Sequence, residues 1–278
     1  MKPVSLKTDI FLDSADPKET KEAVNILGFL DGQTTNPSLL AKNHNIKGNV
    51  LNSYRENIEK ISDLVSKSVS IEVYSDKSTT AQDMFRQARA MNSWVPNAHI
   101  KFPITPNGIE ASRMALNCGI NVNMTLCFSQ EQAAAVYTAT LGTRKGDVFI
   151  SPFVGRLYDT GQSGMDLVRN IIQMYNDGNG HVEVLTASVR NLDQFVFAIH
   201  LGSDIVTAPL YVLKEWAKHG MPLPPQNYES PVDSFGFKPI PYKNFNLSGR
   251  WFDFNITHLL TEIGLQRFAD DWNKLLEK

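Results

Sequence analysis

A lysine stands inside an apolar run of this sequence. In the stretch AHIKFPITPNG, residues 98–108, Lys101 lies between Ile100 and Phe102. A lysine at a strand end often extends its charged head to water. Burial beside another cation would instead favour the neutral amine, which can attack a ketone and form a Schiff base. The polar residues that the fold brings near Lys101 decide between these alternatives.

Two carboxylates are candidates for proton transfer. Asp13 ends the run DIFLD, and Glu72 lies between apolar neighbours in SIEVY. A carboxylate near an amine can move protons to and from a carbinolamine and a sugar hydroxyl. Alternatively, Asp13 caps a helix, a role that Ser14 or Asp16 could equally fill, and Glu72 is an exposed strand residue.

Amide and hydroxyl side chains occur at comparable positions of other apolar runs. Asn123 and Thr125 alternate with apolar residues and therefore share one face of a strand. Ser151 lies in GDVFISPF, and Asn36 lies in TTNPS, where Asn-Pro also fits a turn or a helix start. If these side chains face a common interior, they form a pocket that binds hydroxyl groups.

Three residues indicate an anion site. Ser188 and Arg190 lie in TASVRN after the seventh apolar run, and Arg156 lies in SPFVGR. Loop amides and a helix N-terminus at this corner of a barrel favour an anion. The alternative for either arginine is a surface ion pair.

The elements that must position these residues alternate regularly. Helical segments with apolar spacing of three and four residues, several ending at Gly, separate eight strand-like runs. Repeated βα units predict parallel strands, and eight of them predict an α/β fold with a single (β/α)8 TIM barrel, whose chemistry gathers at the carboxyl ends of the strands. The runs are 9–14, 28–33, 68–75, 98–104, 120–128, 146–153, 182–188 and 203–209.

The alternation stops after about residue 218. Residues 222–241 contain six of the fourteen prolines, which predicts an irregular excursion over 222–254. An apolar stripe in 257–278 predicts an additional C-terminal helix. We expect one domain over 1–278, with the excursion folding over the site or contacting another subunit.

Composition limits the function. Lys and Arg number 27 against 29 Asp and Glu, and this balance gives no basic surface for nucleic acid or membrane. Cys118 and Cys127 form neither a disulfide framework nor a zinc site, and no nucleotide-binding glycine motif follows a strand, so we expect no metal or cofactor. Without a signal peptide or an apolar run of roughly 18 residues, a cytoplasmic protein is expected.

Five stretches together resemble the transaldolase family: DGQTTNPSLL, IKFPITPNGIEA, NVNMTLCFSQEQA, ISPFVGRLYDTGQSGMD and TASVRN. They occur in the family's order over about residues 8–220, and LTEIGLQRFADDW is similar to its last helix. The resemblance implies a class I aldolase-type barrel without a metal. Such an enzyme transfers a dihydroxyacetone unit between sugar phosphates.

The resemblance also implies roles for individual residues. Lys101 matches the Schiff-base lysine, Asp13 the carboxylate that takes the C4 hydroxyl proton, and Glu72 an acid/base acting through a water alongside Thr125. Residues that hold donor hydroxyls correspond to Asn36, Asn123 and Ser151. The phosphate-binding group corresponds to Arg156, Ser188 and Arg190.

Two positions separate the branches of this family. Fructose 6-phosphate aldolases carry glutamine where this chain has Glu72 and tyrosine where it has Phe153, and phenylalanine has no proton to give. The resemblance therefore favours transfer between phosphorylated sugars over simple cleavage. An aldolase-like or modified-sugar enzyme, and a non-catalytic sugar-phosphate-binding barrel, stay as alternatives. The oligomeric state is left open, with a homo-oligomer as one alternative.

Overall fold

The computed structural model describes residues 1–43, 49–231 and 236–277. Its eight parallel strands close into a barrel in chain order, with the last strand paired to the first. The predicted (β/α)8 fold is therefore confirmed. The strands are β1 Asp9–Asp13, β2 Gly32–Thr34, β3 Val69–Glu72, β4 Ala98–Pro103, β5 Val122–Cys127, β6 Val148–Pro152, β7 Val182–Thr186 and β8 Ile205–Ala208.

Helices alternate with these strands and form the outer layer. In the described ranges, no helix is long and apolar enough to cross a membrane. The helices are α1 Pro17–Leu27, α2 Pro37–Lys42, α3 Val50–Ser62, α4 Ala81–Asn92, α5 Pro106–Asn117, α6 Gln130–Ala139, α7 Val154–Asp159, α8 Gly164–Asn176, α9 Leu192–His200, α10 Leu210–Lys218 and α11 Leu259–Leu276.

The second strand differs from its prediction. Residues 28–33 were predicted, whereas β2 covers only Gly32–Thr34. Gly28 ends α1 with a φ of 74°, in the left-handed region that suits a glycine helix stop. Phe29 and Leu30 belong to the connection that follows, so their apolar character reflects packing of a loop rather than a strand.

The strand register places several predicted site residues at one level of the barrel. Asp13 pairs with Thr34 on β2. Lys101 on β4 pairs with Glu72 on one side and with Asn123 on the other. Because alternate residues of a strand point to opposite faces, this shared register brings their side chains together in the interior.

Aromatic rings fill the barrel below this level. His99, two residues before Lys101 on β4, stacks on Phe149 with ring centroids 4.0 Å apart. Phe11 meets Phe149 edge-on at 6.4 Å, and a Cβ at Gly32 would collide with the Phe11 ring. Burial lowers the pKa of His99 to about 4, so the ring stays neutral. These three rings pack together in the interior, below the level of Lys101, and are here called the aromatic plug.

The excursion, here called the strap (residues 222–254), follows the outside of the barrel. The carbonyl of Pro222, its first residue, accepts a hydrogen bond from Trp216 Nε1 at 3.0 Å. Further along, Ile240 O accepts from Asn170 Nδ2 at 2.9 Å, on α8. Lys243 N donates to Gln130 Oε1 at 2.9 Å, on α6. Residues 232–235 lie outside the described ranges.

The chain then returns to the carboxyl end of the barrel as α11. The helix begins after His258, whose side chain accepts from Leu260 N, and it contacts α2 and β5. Thr261 Oγ1 donates to Leu126 O at 2.9 Å and fixes its first turn to β5. The predicted C-terminal helix is thus present over Leu259–Leu276, whereas residue 278 of that prediction lies outside the described ranges.

Candidate active site

Lys101 lies inside the barrel and is only 3% exposed. Its Nζ donates to Thr35 O at 2.9 Å and lies 3.0 Å from Glu72 Oε2. Ile100 and Phe102, on the alternate positions, are fully buried on the side of the outer helices. The alternative in which Lys101 extends to water was therefore wrong.

Asp13 ends β1 beside this amine. Thr34 Oγ1 donates to Asp13 Oδ1 at 2.8 Å and lies 2.6 Å from Thr207 Oγ1. Burial raises the pKa of Asp13, while the positive charge of Lys101 and the Thr34 hydroxyl oppose the shift. Asp16 caps α1, so the capping alternative for Asp13 was wrong.

Glu72 is buried at the end of β3, and the exposed-strand alternative was wrong for it. Desolvation raises the pKa of this carboxyl, and the charge of Lys101 opposes the change. Within the described ranges, Glu72 Oε2 and Thr125 Oγ1 are buried without a hydrogen-bond partner, since Lys101 supplies charge at 3.0 Å but no aligned bond. Because buried polar atoms are normally paired, both atoms can bind a substrate hydroxyl or a water.

Asn123 faces the interior, as its alternation with apolar residues predicted. Its Nδ2 donates to Ser70 Oγ at 3.0 Å, from β5 past β4 to β3. Ser151 Oγ donates to Asn123 Oδ1 at 2.7 Å. Asn36 begins α2, and its Oδ1 accepts from the Leu39 amide at 2.9 Å. The helix-start alternative is therefore confirmed for Asn36, which also faces the cavity.

Arg156 forms a half-buried cationic end of the site. Its guanidinium lies 5.3 Å from the ring centroids of both Phe153 and Phe268. Burial is the largest cause that lowers the pKa of Arg156 to about 10, and the charges of Arg267 and Arg190 add to it. In the described part of the chain no carboxylate forms an ion pair with Arg156, so a bound anion would compensate its charge.

Ser188 and Arg190 lie next to Arg156, after β7. Ser188 has a φ of 61°, an uncommon conformation for a residue with a side chain. Its carbonyl accepts from Gly155 N at 3.0 Å, and a Cβ at Gly155 would collide with that oxygen. Arg190 pairs through both terminal nitrogens with Asp159. The ion-pair alternative is confirmed for Arg190, although its side chain also lines the cavity.

These groups surround a cavity of about 180 Å³ at the carboxyl ends of the strands. Among the predicted residues, Glu72, Asn123 and Thr125 are buried behind its wall. No described residue of the strap lines it, so nothing in the described ranges supports the alternative in which the excursion folds over the site. The predicted residues that line the cavity are Asp13, Asn36, Lys101, Ser151, Phe153, Arg156, Ser188 and Arg190.

Sequence reasoning missed other residues of the cavity. Thr207 lies within the predicted run 203–209 and could have been considered, whereas Thr34 lies just beyond the predicted run 28–33. Lys42, Arg267 and Phe268 come from helices α2 and α11. No local signal identifies these three, because their position depends on where each helix crosses the barrel. Among the residues that the structure describes, no cluster of three or more His, Cys, Asp or Glu could hold a metal.

Comparison with known proteins decides the family. The family described as Transaldolase/Fructose-6-phosphate aldolase matches residues 10–278. The chain belongs to this family.

Relatives of this transaldolase/fructose-6-phosphate aldolase family member are described as "Probable transaldolase". One from Sulfurihydrogenibium sp. is 35% identical over 268 residues, which cover 96% of this chain and 98% of the relative. Another, from Lysinibacillus sphaericus, is 38% identical over 209 residues, 75% of this chain and 89% of the relative. A third, from Cereibacter sphaeroides, is 40% identical over 209 residues, 75% and 88% of the two chains.

Solved structures outside the family share the fold alone. A phosphoenolpyruvate phosphomutase from Streptomyces platensis subsp. rosaceus has a TM-score of 0.52 at 11% identity, and the match covers 77% of this chain and 80% of that one. An enolase from Agrobacterium radiobacter has a TM-score of 0.50 at 10% identity, and the match covers 74% of this chain and 52% of that one. In this family member, the same kind of barrel carries a buried amine, two carboxyls and a cationic end.

Proposed function

We propose that this chain is a transaldolase that transfers a dihydroxyacetone unit between ketose and aldose phosphates through a Schiff base on Lys101. The observation that carries the proposal is the buried Nζ of Lys101, 3.0 Å from Glu72, in a cavity whose other end is formed by Arg156 and Arg190. An amine there can attack a ketone while guanidinium groups bind the substrate's phosphate.

The substrates that fit this scheme are sedoheptulose 7-phosphate and glyceraldehyde 3-phosphate, which give erythrose 4-phosphate and fructose 6-phosphate. Lys101 attacks the ketone carbon, and loss of water leaves a protonated imine. Asp13 takes the C4 hydroxyl proton as the C3–C4 bond breaks, and the imine accepts the electron pair. The aldose leaves, and the three-carbon enamine then attacks the acceptor's carbonyl carbon.

Glu72 and Thr125 serve the steps in which water is lost and regained. Their buried, unpartnered oxygen atoms suit a water that carries protons between Glu72 and the carbinolamine. The raised pKa of Glu72 supports this role, because a carboxyl that binds its proton more tightly can act as a proton donor as well as an acceptor. Asn36, Asn123 and Ser151 hold the donor hydroxyls, and Ser188 joins the two arginines at the phosphate.

Borohydride trapping tests the Schiff base directly. Incubation with fructose 6-phosphate and borohydride should add one reduced sugar-derived group to the peptide that contains Lys101, as read by mass spectrometry. Lys101→Met should gain none, and Lys145→Met, an exposed lysine outside the cavity, should react like the wild type. A wild-type protein without an adduct, or a Lys101→Met protein with one, would refute the proposal.

An aldolase that releases free dihydroxyacetone is the alternative. Phe153 argues against this alternative. Its ring lies over the Arg156 guanidinium and has no proton that could be donated to the enamine, as release of dihydroxyacetone would require. A coupled assay without acceptor separates the two activities, because only an aldolase accumulates dihydroxyacetone. If the substrate is a modified sugar with another anion, the enzyme should transfer the three-carbon unit from that sugar and not from phosphorylated sugars.

A non-catalytic sugar-phosphate-binding barrel is the remaining alternative. It predicts phosphosugar binding with a turnover equal to that of Lys101→Met, whereas a transaldolase predicts a large difference. We place the proposed activity in cytoplasmic carbohydrate metabolism, such as the pentose phosphate pathway, with phosphorylated sugars as its partners.

A further inference from the structure

The regular hydrogen bonding between β2 and β3 is interrupted next to Lys101. Thr35 N donates to Ser70 O at 3.0 Å, as a parallel ladder requires. The next bond of such a ladder would run from Glu72 N to Thr35 O. Instead, Glu72 N donates to the Tyr54 hydroxyl at 3.2 Å, and Thr35 O accepts from Lys101 Nζ at 2.9 Å.

The directions of these hydrogen bonds follow from the number of protons available. Thr35 Oγ1 donates its one proton to Ser70 O at 2.8 Å. Tyr54 Oη lies 2.6 Å from Thr35 Oγ1 and must therefore be the donor of that pair. The Tyr54 hydroxyl thus accepts from Glu72 N, donates to Thr35, and has no proton left for another partner.

Packing holds this hydroxyl in place. Tyr54, on α3, is 1% exposed, and its ring meets Trp94 and Trp272 edge-on at 5.7 and 6.0 Å. Burial raises the pKa of Tyr54, so the group stays neutral and keeps its proton. Rings from α3, from the segment just after α4 and from α11 therefore fix the position of one oxygen atom beside the barrel.

We propose that Tyr54 is a positioning residue for Lys101. By accepting the Glu72 N–H, its hydroxyl leaves the Thr35 carbonyl to Lys101 Nζ. The carbonyl accepts an N–H of Lys101 as the amine and again as the protonated imine, and it fixes the direction of the nitrogen toward the ketone carbon. This inference rests on the proposed Schiff-base function.

Tyr54→Phe removes the oxygen and keeps the ring between the two tryptophans. The Glu72 N–H then turns to Thr35 O, where it competes with Lys101 Nζ and weakens the hydrogen bond that directs the amine. We expect the rate of borohydride-trapped adduct formation and kcat to fall about tenfold, as for a lost hydrogen bond to a charged group. The inhibition constant of inorganic phosphate should stay within about twofold, because the cationic end is unchanged.

Tyr175→Phe is the matched control. Tyr175 is also buried, and its hydroxyl donates to the Ala133 carbonyl at 2.8 Å, away from Lys101. A purely structural role of Tyr54 predicts that both variants lose stability and keep the wild-type trapping rate. That outcome would overturn the inference.

Thr35→Val interrupts the same hydrogen bonds from the other side and serves if Tyr54→Phe does not fold. It should slow trapping in the same way, and the double variant should be no slower than the slower single one. If the rate losses of the two single variants add in the double variant, Tyr54 and Thr35 do not act through the same hydrogen bonds.

A crystal structure of Tyr54→Phe separates this inference from the proposed function. We expect Glu72 N to donate to Thr35 O and Lys101 Nζ to move away from that carbonyl. If wild-type protein traps no sugar but these shifts occur, the proposed function fails and the positioning by Tyr54 stands. If the Lys101–Thr35 contact is unchanged in the variant, the inference fails whatever the chemistry.

Discussion

At the scale of single residues, the barrel interior places the Lys101 side chain beside the carboxyl groups of Asp13 and Glu72. Burial raises the pKa of both Asp13 and Glu72, while the positive charge of Lys101 stabilises their charged forms. Sequence reasoning found these three because a charge within an apolar strand has few explanations. It did not identify the Thr35 carbonyl as the hydrogen-bond acceptor of Lys101, since that carbonyl belongs to a loop whose path only the tertiary structure fixes.

The raised pKa of Asp13 predicts a pH-dependent stability. The folded protein binds this proton more tightly than the unfolded chain, so the carboxyl lowers the free energy of unfolding as pH rises from about 3.8 through the raised value. Asp13→Asn removes this effect. Urea unfolding between pH 4 and 8 should show the variant gaining stability relative to wild type as pH rises.

Asp177→Asn, at an exposed helix end, is the control and should show no such trend. A stability difference between Asp13→Asn and wild type that stays constant over this range would contradict the prediction.

Arg267 should contribute to anion binding. It lines the cavity, and its charge acts on Arg156. Arg267→Gln should weaken binding of inorganic phosphate about tenfold, because a charge-assisted hydrogen bond is lost. Isothermal titration measures this loss. Arg113→Gln, another exposed helix arginine, is the control, and equal affinities of the two variants would count against a role for Arg267.

At the scale of elements, α11 completes the cavity that the strands begin. It supplies Arg267 and Phe268, and its Gly264 faces the Arg156 guanidinium. The sequence predicted this helix from its apolar stripe, but a stripe shows which face is buried and not which surface it meets. The second strand was predicted too early, at 28–33, for a related reason: the residues of β2 carry no apolar alternation, and neighbouring strands determine their conformation.

Gly264→Ala should disturb the cationic end through packing alone. A Cβ there would lie 2.5 Å from Arg156 Nη1 and 2.7 Å from Leu126 Cδ2, so α11 or Arg156 must move. We expect a stability loss of about 1–3 kcal/mol, as for overpacking, and weaker phosphate binding. Thermal unfolding and phosphate titration measure the two effects. Gln266→Ala, on the exposed side of α11, should change neither, and a wild-type affinity in Gly264→Ala would contradict this prediction.

At the scale of the whole molecule, the strap carries the chain from the end of α10 to the start of α11 along the outside of the barrel. It follows α8 and α6, where buried amides of Asn170 and Gln130 satisfy its backbone. The proline content predicted an irregular segment but not its path. A contact of the strap with another subunit, and one domain over the whole chain, remain predictions.

Gln130→Ala should loosen the strap. Its side chain accepts from Lys243 N and donates to Lys243 O, and both backbone groups would lose their partner. We expect a loss of about 1–3 kcal/mol in the free energy of unfolding and faster proteolytic cleavage within the strap. Limited proteolysis with mass spectrometry locates the cuts. Gln173→Ala, exposed on α8, is the control, and equal cleavage of both variants would contradict the assigned contact.

The aromatic plug has a consequence for the kinetics of the proposed transaldolase. Phe11, His99 and Phe149 pack together in the barrel interior, and the cavity of about 180 Å³ lies toward the carboxyl ends of the strands. Under the proposed function, donor and acceptor bind in this one cavity, so we expect the first aldose to leave before the second binds. The expected kinetic pattern is double displacement, with parallel lines when reciprocal rates are plotted against reciprocal donor concentration at several acceptor concentrations.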